Sequence, residues 1–138
     1  MHIQRILASV AIAAAACAAQ AQQSEVIIGK TTFDRSCAVC HGFDAEAQGN
    51  ISELFKTPPR DLTTIAQRND GVFPLERVYH VIAGDIDERA HGDSEMPVWG
   101  DYFMADALED RGINAKDASD IAQGRILSVV YYLLSIQK

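Results

Sequence analysis

The chain has 138 residues, with 19 Asp plus Glu against 12 Lys plus Arg, a formal net charge of −7 and 48% hydrophobic residues. That length sets one domain with a modest core. The acidic balance argues against nucleic acid and anionic membrane surfaces as partners, and a protein partner with a basic docking patch fits it better.

The first residues read as a signal peptide, residues 1–21. His2 and Arg5 give a mildly positive start, Ile6 to Ala19 is an uncharged apolar run of 14 residues, and Ala19-Gln20-Ala21 supplies a small-x-small cleavage site. Such a run is short of the about 20 residues that span a bilayer. The expected mature chain is residues 22–138, one domain in the periplasm without a transmembrane segment. Acylation of Cys17 as a lipoprotein is an alternative, although the usual leucine three residues earlier is missing and Ala14 stands there.

Ser24 to Arg35 reads as a first helix, with Val26, Ile27, Ile28 and Phe33 as apolar contacts and Gly29 and Phe33 on one face at i, i+4. Cys37-Ala38-Val39-Cys40-His41 follows. Two cysteines three apart with histidine next is the attachment pattern of a c-type haem. The two thiols, one helical turn apart, add across the vinyl groups of one porphyrin edge, and the imidazole becomes the proximal iron ligand. Other readings of the pentapeptide are weaker. A zinc half-site needs a second Cys/His pair at ligand spacing, and the only other cysteine, Cys17, lies in the leader. A thioredoxin-type pair needs a βαβ context, whereas a helical segment precedes this one. A disulfide across two intervening residues is strained and closes almost no loop. Export and haem agree with each other, since covalent haem is attached after the chain crosses the membrane.

Gly42 to Lys56 is expected as loop and short helix, and Thr57-Pro58-Pro59-Arg60 as extended chain. Asp61 or Thr63 caps a short helix through about Arg68, which Asn69-Asp70-Gly71 ends. Pro74 to Ala83 is a second short helix with Val78, Val81 and Ile82 on its apolar face and Gly84 closing it. Asp85 to Glu95 is a solvated acidic loop; Asp85, Asp87 and Glu88 do not have EF-hand spacing. Gly100 to Gly112 reads as mixed, with a helical turn or two. Asn114 or Asp117 caps the last helix, which runs to about Gln137, and its stretch Ile126 to Ile136 is apolar almost all round, as in a buried core helix. No hairpin or alternating strand is found, so the fold class is all-α.

A haem iron held by His41 leaves a sixth position, for which the candidates are Met96, Met104, His80, His91 or no side chain. Met96 is favoured because it lies in a loop and is followed by Pro97, which stiffens the backbone. Met104 lies between Phe103 and Ala105, a core-filling context. His80 reads as a surface or capped helix residue, and His91 is the best histidine rival because its loop is near Met96.

With these residues the chain resembles the monohaem class I cytochromes c. That family places a helix before Cys-x-x-Cys-His, a methionine ligand several tens of residues later, and a C-terminal helix that crosses the first; here His41 and Met96 are 55 residues apart. Gly29-x-x-x-Phe33 resembles the small-and-aromatic pair of the family's first helix, and Val129-x-x-Tyr132-Leu133 the matching set on the last. One departure concerns the glycine-proline pair whose carbonyl orients the haem imidazole in many members. Gly49-Asn50 stands near that place here, the first prolines are Pro58 and Pro59, and a carbonyl from Lys56 to Pro58 is a candidate for the role. Arg60 and Trp99 are candidate propionate donors, with a core role for Trp99 equally open.

The resemblance implies a small cytochrome c fold, haem enclosed by short helices and loops, cofactor attachment at Cys37, Cys40, His41 and Met96, and iron ligation by His41 and Met96. It implies single-electron transfer rather than enzyme catalysis, as a soluble carrier or as the cytochrome subunit of a periplasmic dehydrogenase or oxidase. Ala38, Val39 and Val98 would border the exposed haem edge. The alternatives are a ligand binder, sensor or peroxidase with a labile sixth ligand, for which His91 and Arg89 are the nearest thing to a distal pair, and a structural haem module.

Overall fold

The computed structural model describes residues 23–85, 96–111 and 113–138, with residues 110 and 111 as backbone alone. The expected leader with Cys17, and the acidic-loop positions Asp87, Glu88, Arg89 and His91, lie outside the described residues.

Among the described residues the fold is all-α, without a strand. Helix α1 covers residues 23–36 and α2 is a single turn, Ala38–His41. Three 3-10 turns follow, Ser52–Leu54, Leu62–Thr64 and Gln67–Asn69, and then α3 (Leu75–Ala83), α4 (Trp99–Arg111) and α5 (Ala115–Ser135). None of the described helices is long and apolar enough to cross a membrane.

Helices α1 and α5 meet at Gly29. A Cβ built there would stand 1.9 Å from the Ser128 carbonyl oxygen and 3.0 Å from the Tyr132 Cβ, so only the missing side chain allows this approach. One turn on, the Phe33 and Tyr132 rings pack with centroids 5.2 Å apart. Phe33, Ile126, Val129 and Val130 are almost wholly buried around this contact. The interface follows Val26, Gly29 and Phe33, so Ile27 and Ile28 fall outside it. They are 60% and 51% exposed, against the expectation that they are core contacts.

Asn114 starts α5 as expected, accepting a 3.1 Å hydrogen bond from the Asp117 backbone N–H. Helix α4 packs along α5, with Phe103 and Ala107 buried and the Arg125 guanidinium 5.7 Å from the Phe103 ring centroid while it pairs with Asp106. The expected turn or two over Gly100–Gly112 is therefore a helix of 13 residues. Its sequence shows no apolar stripe, and packing on α5 and α3 supplies what periodicity does not. Gly100 lets α4 reach α3, since a Cβ there would stand 2.6 Å from the Ala83 carbonyl oxygen.

The segment after Pro59 differs in kind from its expected helix. Asp61 does cap, accepting from the Thr63 backbone N–H at 2.7 Å and hydroxyl at 2.6 Å, but the product is two separate 3-10 turns. Asp70 and Gly71 end them at φ 53° and 82°. The far end of the chain clamps this segment. Gln137 donates to the Leu62 and Leu133 carbonyls and accepts from the Ala66 backbone N–H, and the Lys138 backbone N–H donates to the Thr63 carbonyl at 2.9 Å.

Candidate functional site

The site begins where α1 breaks. Cys37 still donates its backbone N–H to the Phe33 carbonyl at 2.8 Å, and its own carbonyl accepts from both Cys40 and His41, at 3.1 and 2.9 Å. Gly42 stops the turn at φ 81°. This puts Cys37, Cys40 and His41 on one tight bend against the α1–α5 junction. The loop beyond folds back over the outside of the bend: Ala47 donates to the His41 carbonyl at 2.8 Å and Ile51 to the Val39 carbonyl at 3.2 Å. Gly49 presses so close that a Cβ would stand 2.3 Å from the Cys40 carbonyl carbon. Among the described residues only a glycine there can support the bend from behind.

Two adjoining cavities open on the inner side. One encloses about 760 Å³ of atom-free space, its mouth included, and is walled by Cys37, Cys40, His41, Phe55, Met96 and Trp99. The other encloses about 1070 Å³ counted in the same way and reaches α3 and α5 through Val78, Ile82, Val129 and Leu133. Cys37, His41 and Met96 line both.

The titrating groups are tuned by burial. It pushes the Cys37 thiol up to about 12, with nearby Cys40 adding to the rise, and raises the Cys40 thiol as well. Thiols of a disulfide oxidoreductase are shifted the other way, so this pair is not poised as a nucleophilic thiolate. Burial lowers the His41 imidazole below its ordinary value, keeping it neutral as a metal ligand must be, and the Arg60 main chain pulls weakly in the opposite direction. Nδ1 of His41 is buried without a hydrogen-bond partner among the described residues.

The residues fit a covalent haem. Two thiols and an imidazole share one turn, a thioether enters the same space from a segment 55 residues away, and the walls around them are chiefly apolar. The rival ligands are placed elsewhere. Met104 packs into the α4 side of the core, and His80 points Nδ1 at Asp85, 3.2 Å away. Neither lines either of these two cavities, and His91 lies outside the described residues. Trp99 walls the smaller cavity and packs against the Tyr102 and Phe103 rings at 5.3 and 5.6 Å, as a core aromatic would.

Around the cysteines, Val39 and Val98 are 46% and 49% exposed, whereas Ala38 is buried and cannot border an open edge. Sequence reasoning named Arg60 but passed over Arg68 and Arg77, which join it on the wall of the larger cavity. They come from a 3-10 turn and from α3, and no local pattern links them. Compared with known proteins, the chain matches no protein-family model, no curated protein and no solved structure.

Proposed function

We propose that this chain is a single-electron-transfer protein carrying one covalent haem c, built like a class I cytochrome c and working in the periplasm as a soluble carrier or as the cytochrome subunit of a redox enzyme. The observation that carries the reading is the convergence of Cys37, Cys40, His41 and Met96 on one cavity wall. When bound, haem supplies a one-electron iron couple, whose potential a thioether ligand raises. Cys37 and Cys40 fix the porphyrin edge to α2. His41 would supply the imidazole and Met96 the thioether to the iron, so that neither axial position is left for binding a substrate. Rigid support behind the bend, from Gly49, Ala47 and Ile51, keeps the ligands in place in both oxidation states. Val39 and Val98 give an apolar contact beside the covalent edge, suited to a redox protein whose basic rim meets the acidic surface of this chain.

The test is spectroscopic. Denatured in acidic organic solvent, the exported protein should keep its haem colour, and its intact mass should equal the chain from about Gln22 plus one haem. The oxidised protein should show the weak far-red sulfur-to-iron band; Met96→Ala should remove it, and Met104→Ala should not. Extractable haem would sink the reading. Ready carbon monoxide binding by the ferrous wild type would replace it with a ligand binder or peroxidase.

A further inference from the structure

Two glycines lie where the segment that carries Met96 crosses the end of α3. That end is closed: the His80 carbonyl accepts from the Gly84 and Asp85 backbone N–H groups at 2.9 and 3.1 Å, and Gly84 turns the chain at φ 85°. Val98 sits against the bare Cα of Gly84, where a Cβ would stand 2.5 Å from Val98 Cγ1. Gly100 sits against the last residue of α3, where a Cβ would stand 2.6 Å from the Ala83 carbonyl oxygen. The two contacts are reciprocal, since α3 supplies the glycine in one and the Met96 segment supplies it in the other. Met96 lies two residues before Val98 and four before Gly100, with Pro97 between. Proline fixes its own φ, so a displacement of Val98 or Gly100 is passed along to Met96 rather than absorbed by the link. Met96 in turn lines both cavities, and Trp99, between the two contact residues, walls the smaller one.

Resting on the haem reading, we infer that Gly84 and Gly100 are positioning residues that dock the Met96 segment on the closed end of α3 and so set how firmly Met96 holds the sixth position. The distances give the tolerance. Ordinary contact with a Cβ begins at 3.4 Å, so a side chain at either glycine forces a displacement larger than the about 0.5 Å within which a ligand set keeps its geometry. At Gly100 the obstacle is backbone, and the Ala83 carbonyl cannot swing aside without disturbing the end of α3. At Gly84 the obstacle is the side chain of Val98, half exposed and part of the segment itself, so the segment is what moves. Either way the thioether shifts relative to His41, which the separate bend after α1 holds in place. A thioether that no longer reaches would leave the sixth position to an external ligand.

The test uses the haem-loaded chain and the variants Gly84→Ala and Gly100→Ala, with two glycine controls away from Met96. Gly124→Ala meets nothing within 4 Å, and Gly29→Ala loosens the α1–α5 contact. In the ferric protein, Gly84→Ala and Gly100→Ala should each weaken the far-red sulfur-to-iron band and tighten cyanide binding by about tenfold or more over wild type. Both controls should keep the band. The double variant Gly84→Ala/Val98→Ala gives the new Cβ room and should regain most of the band, although the strain of alanine at φ 85° persists. If Gly100→Ala does not fold, Gly84→Ala and its double variant decide alone. Docking variants with full covalent haem, an unchanged band and wild-type cyanide affinity overturn the dock only. Equal loss of the band in Gly29→Ala also overturns it, because general loosening would then release the ligand. A wild type that lacks the band or the covalent haem overturns the haem reading and the dock with it.

Discussion

Gly29 and Gly124 are both helical glycines, and the structure gives them opposite roles. A Cβ at Gly29 would collide with the backbone of Ser128, whereas one at Gly124 would meet nothing within 4 Å. Alanine gains about 1 kcal/mol of helix propensity over glycine. At Gly124 that gain stands unopposed, so Gly124→Ala should raise stability by up to about 1 kcal/mol. At Gly29 a rigid carbonyl 1.9 Å away must move, and with it the α1–α5 contact. Overpacking of this kind costs about 1–3 kcal/mol, so Gly29→Ala should be a net loss. Urea unfolding of the two variants beside wild type decides the matter; equal and positive shifts would mean that α1 does not approach α5 as described. At this scale the site was readable from sequence to the extent that its residues are contiguous. Cys37, Cys40 and His41 form one pattern, and Met96 is marked out by the proline after it. Arg68 and Arg77 have no such neighbours, and only the folded chain brings them together.

Elements were legible where their ends carry a chemical signal. Asn114 begins α5 and Gly84 ends α3 at φ 85°, both as their residue types require. Helix α4 was not, because Trp99, Phe103 and Ala107 are interspersed with Gly100 and four acidic residues that blur their spacing, and it packs against α3 and α5. The Asp61 turn lies between these cases: the cap was visible, but the choice of 3-10 over α depends on the clamp from Gln137 and Lys138, which are 75 residues away along the chain in the Gln137–Leu62 bond. The carboxyl group of Asp61 is held below its ordinary value, first by the Thr63 hydroxyl, with the Thr63 N–H, Lys138 and Arg68 adding to the effect. A depressed carboxylate contributes stability that is fully present above its unfolded value of about 3.9 and is lost as pH falls through the lower folded value. Asp61→Asn should therefore cost about 0.5–1 kcal/mol at pH 7, the low end for a cap because the site is solvent-screened. The gap from wild type should close in strong acid. Denaturant midpoints across the acid range measure it, and a gap that stays constant with pH would show that the charge of Asp61 has no part in the cap.

The whole molecule divides into a firmly packed half and a half that leans on the cavity. Helices α1, α4 and α5 share the buried cluster of Phe33, Phe103, Ile126, Val129 and Val130. Residues 42–74 contain three short 3-10 turns and bury little beyond Ala45, Ser52 and Thr63. They are tied down by a few backbone bonds, such as Leu62 to the Ala45 carbonyl at 2.8 Å, and Phe55, Leu62 and Ile65 line the cavities, with Leu62 and Phe73 also packed against the buried cluster. Segments with few apolar contacts open at low free energy, independently of the core. A chain that cannot attach haem should thus lose order unevenly. In Cys37→Ala/Cys40→Ala, α1, α4 and α5 should keep most of their helical circular dichroism, while the amides of 42–74 lose hydrogen-exchange protection by at least about tenfold more than those of α5. If the proposed haem fills the cavity, it would contribute the missing contacts, and the loaded protein should show the two halves protected together. Equal protection of 42–74 in the loaded protein and the double variant would mean that this half is held by its own bonds, and that whatever occupies the cavity is a passenger in the fold.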